Sequence, residues 1–299
     1  MKYVGITNHD FLLNINAEDS IKQYIISKRD YVSSASLHKM IASIYHFYDM
    51  NDVVLNKVKI SKYKGEFRKV KKDRTYTHQE IAKLLSVADL RLKSCILLMA
   101  SSGLRLGAIP DIKLKHLQDN TLIVYEGSSE EYNTFVTQET LNFIQEYINY
   151  RRRFGENVTS EAYLIRNNFD DFGDKKDVRP VSKHTIRNII YNLLRKTGID
   201  KNIMMTHGFR KFFTTQLVNS KVNPEIREML LGHKIGLAGS YYKPTVDEMY
   251  CEYEKAINNL TINEENRLKE KVEKLEIENN KIDRMYNEIH SIKDMLGLS

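Results

Sequence analysis

The apolar residues near the start of the chain recur with the period of an α-helix. In SLHKMIASIYHFYDMNDVVL, apolar positions between 37 and 48 fall at spacings of three and four and form one face. Ser36, just before this face, is the predicted N-cap. A second amphipathic stretch, EDSIKQYIISKRDYV, precedes it. We therefore predict a small helical domain over residues 1–56.

A second series of helical patterns begins at Thr77. Thr77 and Glu80 have the spacing of a capping box, and apolar residues follow at helical intervals. RLKSCILLMASS predicts a buried helix that ends at Gly103. TLIVYEGSSEEYNTFVTQ predicts a β-hairpin that turns around 127–129. Further helices are predicted at 139–154, 182–197, 207–220 and 224–231. Residues 76–260 are thus predicted as a mainly α domain of the α+β class, with one small antiparallel sheet.

The C-terminal tail, 261–299, has a seven-residue apolar repeat. The repeat consists of Leu268, Leu275, Ile282, Ile289 and Leu296. The positions four residues later are mixed and include Asn279, so the tail has half of a coiled-coil seam with a polar core position. A helix for self-association or docking is the favoured interpretation. The alternative is a long exposed helix that packs on its own domain.

Neither a membrane segment nor a cysteine framework is indicated. The longest apolar run, CILLMA, is far shorter than a bilayer span. The N-terminus lacks the apolar region and cleavage site of a secretory signal. The two cysteines, Cys95 and Cys251, are far apart, which disfavours a disulfide or zinc site. We expect a cytoplasmic protein that binds no metal or cofactor.

Positive charge is concentrated in one segment. Residues 57–74 contain nine Lys or Arg and two acids, which equals the net charge of +7 of the whole chain. A basic strip is the footprint expected of a polyanion-binding protein, although a solvated linker is the ordinary alternative. We read 57–75 as a basic linker and a candidate DNA-binding segment. Its candidate contacts are Lys57, Lys59, Lys62, Lys64, Arg68, Lys69, Lys71, Lys72 and Arg74.

Three blocks in the second domain carry the candidate chemistry. SSGLRLGAIPDIKLKHL places Arg105 just after a predicted helix end. THGFRKFFTTQLV places His207 and Arg210 one helical turn apart. LLGHKIGLAGSYYKP contains His233 and two tyrosines. Each block alone is ordinary, but together they suit attack by a phenol on a phosphodiester, because guanidinium groups stabilise the charge of the transition state.

These blocks resemble the signatures of the tyrosine recombinase (phage-type integrase) family. The family order of Arg, His-x-x-Arg, Leu-Gly-His and Tyr is followed by SSGLR, HGFRKFFTTQL and LLGHKIGLAGSYY. The sequences around these residues are most similar to those of archaeal members. The resemblance covers about 76–260. Residues 1–56 resemble the family's core-binding domain more loosely, by position and helicity. The resemblance implies a clamp around duplex DNA, with the linker along the DNA backbone.

The resemblance also implies roles for individual residues. It assigns Arg105 and Arg210 to the scissile phosphate, with His207 and His233 as their partners. The family's nucleophile usually lies nine residues after the Gly-His histidine, and that count reaches Tyr242 rather than Tyr241. We therefore expect Tyr242 to be the nucleophile and its neighbour to have a packing or phosphate-contacting role.

The sequence departs from the family in the hairpin. Members usually carry a lysine in this turn, proposed to protonate the leaving 5′-oxygen, whereas this chain has Ser128 and Ser129 and no lysine between Lys115 and Lys175. Either a lysine from elsewhere in the fold or from another protomer replaces it, or acid catalysis is weakened.

The implied function is site-specific DNA recombination through a 3′-phosphotyrosyl intermediate. The implied partners are double-stranded DNA and further copies of the chain, as a dimer on one site and a tetramer in the synaptic complex; the expected location is the nucleoid. Two alternatives stay open: a type IB topoisomerase-like enzyme that relaxes supercoils, and a DNA-binding relative with weakened catalysis.

Overall fold

The computed structural model describes residues 16–65, 74–167, 178–199, 203–236 and 238–295. The chain divides into two compact units, Met1–Lys72 and Asp73–Ser299. Both are built mainly from helices, and the second contains a three-stranded antiparallel sheet. The predicted mainly α fold class is confirmed, whereas the predicted domain bounds remain a prediction.

The first unit is a small helical cluster. Within its described residues the helices are α1 (Ala17–Lys28), α2 (Ser34–Asp49) and α3 (Lys57–Ser61), and a 3-10 turn follows at Lys62–Lys64. They enclose an apolar core that includes Ile25, Ile41 and Ile60, each fully buried. Helix α3 occupies the start of the predicted linker, so this part of the basic segment is folded into the first unit.

The N-cap of α2 differs from the prediction. Ser33 caps the helix, and its hydroxyl accepts a hydrogen bond from the backbone N–H of Ser36 at 3.2 Å. Ser36 therefore lies within the first helical turn. Both residues carry hydroxyls, and only the backbone conformation decides which of them is the cap.

The second unit contains ten helices within the described residues, with the sheet between the second and third. The helices are α4 (His78–Val87), α5 (Leu90–Ser102), α6 (Gln138–Arg153), α7 (Lys183–Thr197), α8 (Met205–Asn219), α9 (Pro224–Leu230), α10 (Ala238–Tyr241), α11 (Val246–Glu254), α12 (Ile257–Leu260) and α13 (Glu264–Met295). The strands are β1 (Leu117–Gln118), β2 (Thr121–Val124) and β3 (Tyr132–Phe135). The predicted capping box is present, since Thr77 and Glu80 cap each other's backbone groups at the start of α4.

Helix α5 forms the centre of the second unit. It is buried along almost its whole length and packs between α6 and α8. It ends at Gly103, as predicted, in the left-handed conformation with φ of 65°. Burial of its apolar side chains on all sides makes it a rigid support for the segment that follows it.

The sheet is a meander in the order β1-β2-β3. The predicted hairpin is present, with Thr121 opposite Phe135 and Val124 opposite Tyr132. Strand β1 was not predicted, because two residues are too few to show an alternating pattern.

The tail is a 32-residue helix whose start is fixed to the body of the second unit. The buried carboxylate of Glu139, at the beginning of α6, accepts hydrogen bonds from the backbone N–H groups of Ile262 at 2.6 Å and Asn263 at 2.9 Å. Beyond this anchor the apolar residues of α13 from Leu268 to Ile289 are exposed. Among the helices described, none combines the length and apolar character needed to cross a membrane.

Candidate active site

Arg210 is the fixed centre of the candidate site. It lies on α8 with 5% of its surface exposed. Its Nη1 donates to the carbonyl of Gly103 at 2.7 Å, and its Nη2 donates to the carbonyl of Leu231 at 2.5 Å. The second nitrogen also lies 2.8 Å from Nε2 of His233. The guanidinium therefore joins the ends of α5 and α9, which are far apart in sequence.

Two glycines allow these carbonyls to reach Arg210. Gly103 adopts φ of 65°, and a Cβ there would lie 2.3 Å from the ring of Phe213. Gly232 adopts φ of 63°, and a Cβ there would lie 2.5 Å from the ring of Tyr132. Both positions exclude a side chain for two reasons, a left-handed backbone and a close aromatic ring.

His233 is positioned by the way α9 ends. The N–H of Gly232 donates to the carbonyl of Met229 at 2.8 Å, and the N–H of His233 donates to that of Glu228 at 2.9 Å. These two bonds form a Schellman motif, which brings the residue after the glycine back over the last turn of the helix. The side chains of His233 and Glu228 meet there, with 2.6 Å between Nδ1 and Oε2.

The two neighbours of the imidazole select its tautomer. A carboxylate only accepts hydrogen bonds and a guanidinium only donates them. The proton is therefore on Nδ1, which donates to Glu228, and Nε2 accepts from Arg210. The hydrogen bond from His233 also lowers the pKa of the Glu228 carboxyl. Glu228 was not among the residues predicted from the sequence, although the glycine after Leu231 at the end of α9 is a signal for the Schellman motif.

Arg105 lies just beyond the end of α5. Its neighbours Leu104 and Ala108 are buried while Arg105 itself is exposed, so the segment is held in place with this side chain outward. Burial is the main cause that lowers the pKa of Arg210, and the nearby positive charge of Arg105 lowers that pKa further. Two like charges are thus held near each other on a rigid frame. Such an arrangement is unfavourable by itself and suits an anion between them.

Two hairpin tyrosines line this cluster and were also missed. The ring of Tyr132 packs on Gly232, and its centroid lies 6.3 Å from that of Tyr125. Burial raises the pKa of both phenols, and the charges of Arg105 and Arg210 oppose that shift. The hairpin thus contributes aromatic side chains to the surroundings of both arginines.

His207 and the tyrosine pair lie on the surface of the second unit. His207 is on α8, one turn before Arg210, and is exposed. Tyr241 ends the short helix α10 and is 90% exposed, whereas Tyr242 follows it and is 37% exposed. The structure brings Arg105, Arg210 and His233 together. The roles predicted for all five residues, with Tyr242 as the nucleophile, remain a prediction.

The hairpin turn is acidic and contains serines. Glu131 accepts from the backbone N–H of Gly127 at 2.6 Å, and the hydroxyl of Ser128 accepts from that of Glu130 at 3.1 Å. Lys115, just before the sheet, forms ion pairs with Glu126 at 3.4 Å and with Glu161 at 3.2 Å. The lysine expected in this turn is absent from the sequence, and the structure places carboxylates and hydroxyls there.

The candidate DNA contacts are partly described. Lys57 pairs with Asp49 at 2.7 Å, and Arg74 pairs with Glu80 at 2.6 Å, while Lys59 and Lys62 are exposed. Arg68, Lys69, Lys71 and Lys72 lie outside the described residues. In the described part of the chain, no group of three or more His, Cys, Asp or Glu side chains has the arrangement of a metal site.

Comparison with known proteins places these features in a family. The sequence model described as "Phage integrase family" matches residues 74–245. The Tn1549 transposon integrase, in complex with circular intermediate DNA, shares 17% identity at a TM-score of 0.57, over 85% of this chain and 96% of that one. A lambda integrase dimer bound to a COC′ core site shares 16% identity at a TM-score of 0.54, over 79% and 69%. At these identities the structures show a shared fold. The comparison with curated proteins found no significant match.

Proposed function

Because the chain belongs to the phage integrase family, we propose that this tyrosine-type recombinase cleaves and rejoins duplex DNA at specific sites through a 3′-phosphotyrosyl intermediate. The observation that carries this proposal is the arrangement of Arg105 and Arg210 near each other, with the latter fixed by three hydrogen bonds. Two permanent positive charges on a rigid frame suit a phosphate whose negative charge increases in the transition state.

The chemical step balances without an external energy source. The phenol oxygen of Tyr242 attacks the scissile phosphorus and loses its proton, while the bond from phosphorus to the 5′-oxygen breaks. The 5′-oxygen takes up a proton and leaves as a hydroxyl group. In the second step a 5′-hydroxyl from a partner duplex attacks the phosphotyrosine, and the tyrosine is released. The covalent bond retains the energy of the original phosphodiester.

The proposed roles of the basic side chains follow from their surroundings. Arg105, which is exposed, binds the phosphate directly, and Arg210 supplies the second charge. His233 accepts from Arg210 and so orients the guanidinium, and Glu228 orients His233 in turn. His207, exposed on the same helix as Arg210, contacts a phosphate oxygen.

The proposed partners are DNA and further copies of this chain. The neighbouring structures are a transposon integrase in complex with circular intermediate DNA and a lambda integrase dimer bound to a core site, which supports binding of one dimer to each site. Exchange between two sites then requires a tetramer. The proposed location is the nucleoid. Lys59 and Lys62, exposed on the first unit, are proposed to contact the DNA backbone.

A suicide substrate tests the covalent step. In a duplex with a nick just past the cleavage site, cleavage releases a short fragment that carries the 5′-hydroxyl group. This fragment diffuses away and cannot be rejoined, so the phosphotyrosyl protein accumulates. The proposal predicts a protein–DNA adduct that resists SDS and needs no metal. Absence of an adduct across a panel of candidate attachment sequences would overturn it.

Strand exchange and supercoil relaxation separate a recombinase from a topoisomerase-like enzyme. With two copies of the target site, the recombinase is expected to form Holliday junctions and exchanged products. With a supercoiled plasmid that lacks the site, it is expected to leave the topology unchanged. Relaxation of such a plasmid without junction formation would favour a topoisomerase-like enzyme.

The acid that protonates the 5′-oxygen is proposed to come from outside the hairpin turn. Ser129→Lys places a lysine where the family usually has one, and Ser128→Lys is the matched control one position away. If the chain lacks an acid, Ser129→Lys raises the adduct yield. An unchanged yield from an active wild type supports an acid supplied from elsewhere in the fold or by another protomer.

A further inference from the structure

The tail helix α13 presents an apolar stripe to solvent. Its members recur with a seven-residue period, and about half or more of each side chain is exposed: Leu268, Val272, Leu275, Ile282, Tyr286 and Ile289. Exposed apolar residues are common one at a time, but a continuous line of them along a helix usually marks an interface.

The helix is held at one end and extends from that end. Glu139 accepts from the backbone N–H groups of Ile262 and Asn263, and the side chain of Asn258 donates to the carbonyl of Arg267 at 2.9 Å. From Glu264 to Met295 the helix has 32 residues, a length of about 48 Å at 1.5 Å per residue. The stripe begins right after the anchor, so its direction relative to the second unit is set.

The polar position of the seam favours a two-stranded parallel coiled coil. Leu or Ile occupies each d position, and the a positions between them are Val272, Asn279 and Tyr286. A buried Asn at a single a position favours two in-register parallel strands, because each amide then meets its own copy. In a parallel pair shifted by one heptad, this Asn would face Val272 or Tyr286.

The charges beside the first half of the seam are complementary for the same arrangement. In a parallel pair, each g position faces the e position five residues later on the partner helix. That rule places Glu264 opposite Lys269 and Lys271 opposite Glu276. The next pair in the sequence, 278 and 283, is acidic on both sides, so attraction is confined to the half of the tail nearest the body. Within one chain, Lys269 pairs with Glu265 at 2.8 Å, an exposed pair that contributes little.

From the stripe, the anchor, Asn279 and the flanking charges, we infer that α13 joins two copies of this chain as a parallel, in-register coiled coil that forms without DNA. The interface goes beyond the proposed function, because it would link two protomers before either meets a recombination site. Its partner is a second copy of the same helix.

The oligomeric state of the full chain without DNA is the first test. Sedimentation at micromolar concentration is expected to show a dimer. Leu275→Glu combined with Ile282→Glu places charges in the seam and is expected to give a monomer. Ile277→Glu is the matched control, because Ile277 is 68% exposed on the outer face of the coil, and this variant is expected to stay dimeric. A monomeric wild type, or a dimer that survives the seam variant, would overturn the inference.

Single cysteines test direction and register. In a background of Cys251→Ser, with the buried Cys95 retained, Leu268→Cys and Ile289→Cys are each expected to cross-link to their own copy with a short bis-maleimide. Arg284→Cys, on the outer face, is expected not to cross-link. In an antiparallel pair the two copies of Leu268→Cys would lie about 30 Å apart, since 21 positions separate residues 268 and 289. Cross-linking only in the mixture of the two variants would therefore refute the parallel arrangement.

These outcomes are independent of DNA cleavage. A chain that forms the covalent adduct but sediments as a monomer keeps its proposed function and loses the tail interface. A chain that sediments as a dimer but forms no adduct keeps the tail interface and loses the proposed function.

Discussion

Oε2 of Glu228 lies 2.6 Å from Nδ1 of His233, while Nε2 of the same ring lies 2.8 Å from a guanidinium nitrogen of Arg210. This chain of contacts links a carboxylate at the end of α9 to the arginine in the centre of the site. The imidazole can bridge the two only with its proton on Nδ1. Glu228 is therefore proposed to be a positioning residue, and its removal tests the tautomer directly.

Glu228→Ala is expected to lower the rate of adduct formation by about 10- to 100-fold, the range typical of the loss of a partner that orients a functional side chain. Glu228→Gln, which keeps an acceptor but not the charge, is expected to fall between this variant and the wild type. The measurement is single-turnover cleavage of a suicide substrate, together with the NMR tautomer signature of His233. Glu225→Ala, an exposed glutamate on the same helix, is the control. Equal rates for Glu228→Ala and Glu225→Ala would contradict the role.

Arg105 and Arg210 are expected to differ in their effect on stability. Arg210→Ala leaves the carbonyls of Gly103 and Leu231 without their donor and should cost about 2–4 kcal/mol of unfolding free energy. Arg105→Ala, at an exposed position, should stay within about 0.5 kcal/mol of the wild type. Both should abolish the adduct. Denaturant unfolding and the cleavage assay check this pair, and full activity of folded Arg105→Ala would exclude Arg105 from the phosphate site.

Two variants separate the cost of a clash with Phe213 at Gly103 from the cost of a side chain on a left-handed backbone. Gly103 and Gly198 both end helices with φ near 65°, but a Cβ at Gly198 would meet nothing within 4 Å. Gly198→Ala should cost about 1–2 kcal/mol from the left-handed backbone alone. Gly103→Ala should cost about 1–3 kcal/mol more, because the methyl group displaces the ring of Phe213. Thermal unfolding of the two variants measures the difference, and equal losses would show that the ring moves freely.

A buried charge cluster predicts acid sensitivity. Glu156 pairs with Arg151 at 2.5 Å and with Arg166 at 2.8 Å, and all three side chains are at most 5% exposed. Burial acts to raise the pKa of Glu156, but the hydrogen bonds from the two arginines outweigh it and hold the pKa below its usual range. Its contribution to stability is thus present above the pKa of the unfolded chain and is lost as the pH falls through the folded pKa.

Glu156→Gln is therefore expected to cost about 3–5 kcal/mol at neutral pH and to flatten the dependence of stability on pH below about 4.5. Glu161→Gln is the matched control. Glu161 also bridges two cations, Lys113 and Lys115, but its side chain is 57% exposed and solvent screens the pairs, so little change in stability is expected. Urea unfolding from pH 3 to 7 checks both variants, and a Glu156→Gln curve parallel to that of the wild type would contradict the account.

Local signals explain which parts of the fold could be predicted. The capping box of Thr77 and the glycine after α5 involve residues a few positions apart, so the sequence contains the whole interaction. The cap of α2 was assigned to Ser36 instead of Ser33 because several hydroxyls are adjacent there. Strand β1 has two residues and is defined only by its pairing with β2, which no local pattern records.

The candidate site depends on longer-range contacts. Gly103 and Arg210 are 107 positions apart, and their hydrogen bond could be anticipated only through the family resemblance. The pair of Glu228 and His233 is different, since a Schellman motif at Gly232 implies it from local sequence. Tyr132 became visible only in the structure, because its packing on Gly232 requires the hairpin to lie against the end of α9.

The most direct measurement compares two single substitutions, Tyr242→Phe and Tyr241→Phe, on one suicide substrate. Each substitution removes one hydroxyl group and keeps the aromatic ring, and the two residues are adjacent, so each variant controls for the other. We predict that Tyr241→Phe still forms the SDS-resistant adduct and that Tyr242→Phe forms none, with the DNA-linked peptide of the wild type containing Tyr242. An adduct that persists in Tyr242→Phe would contradict this prediction.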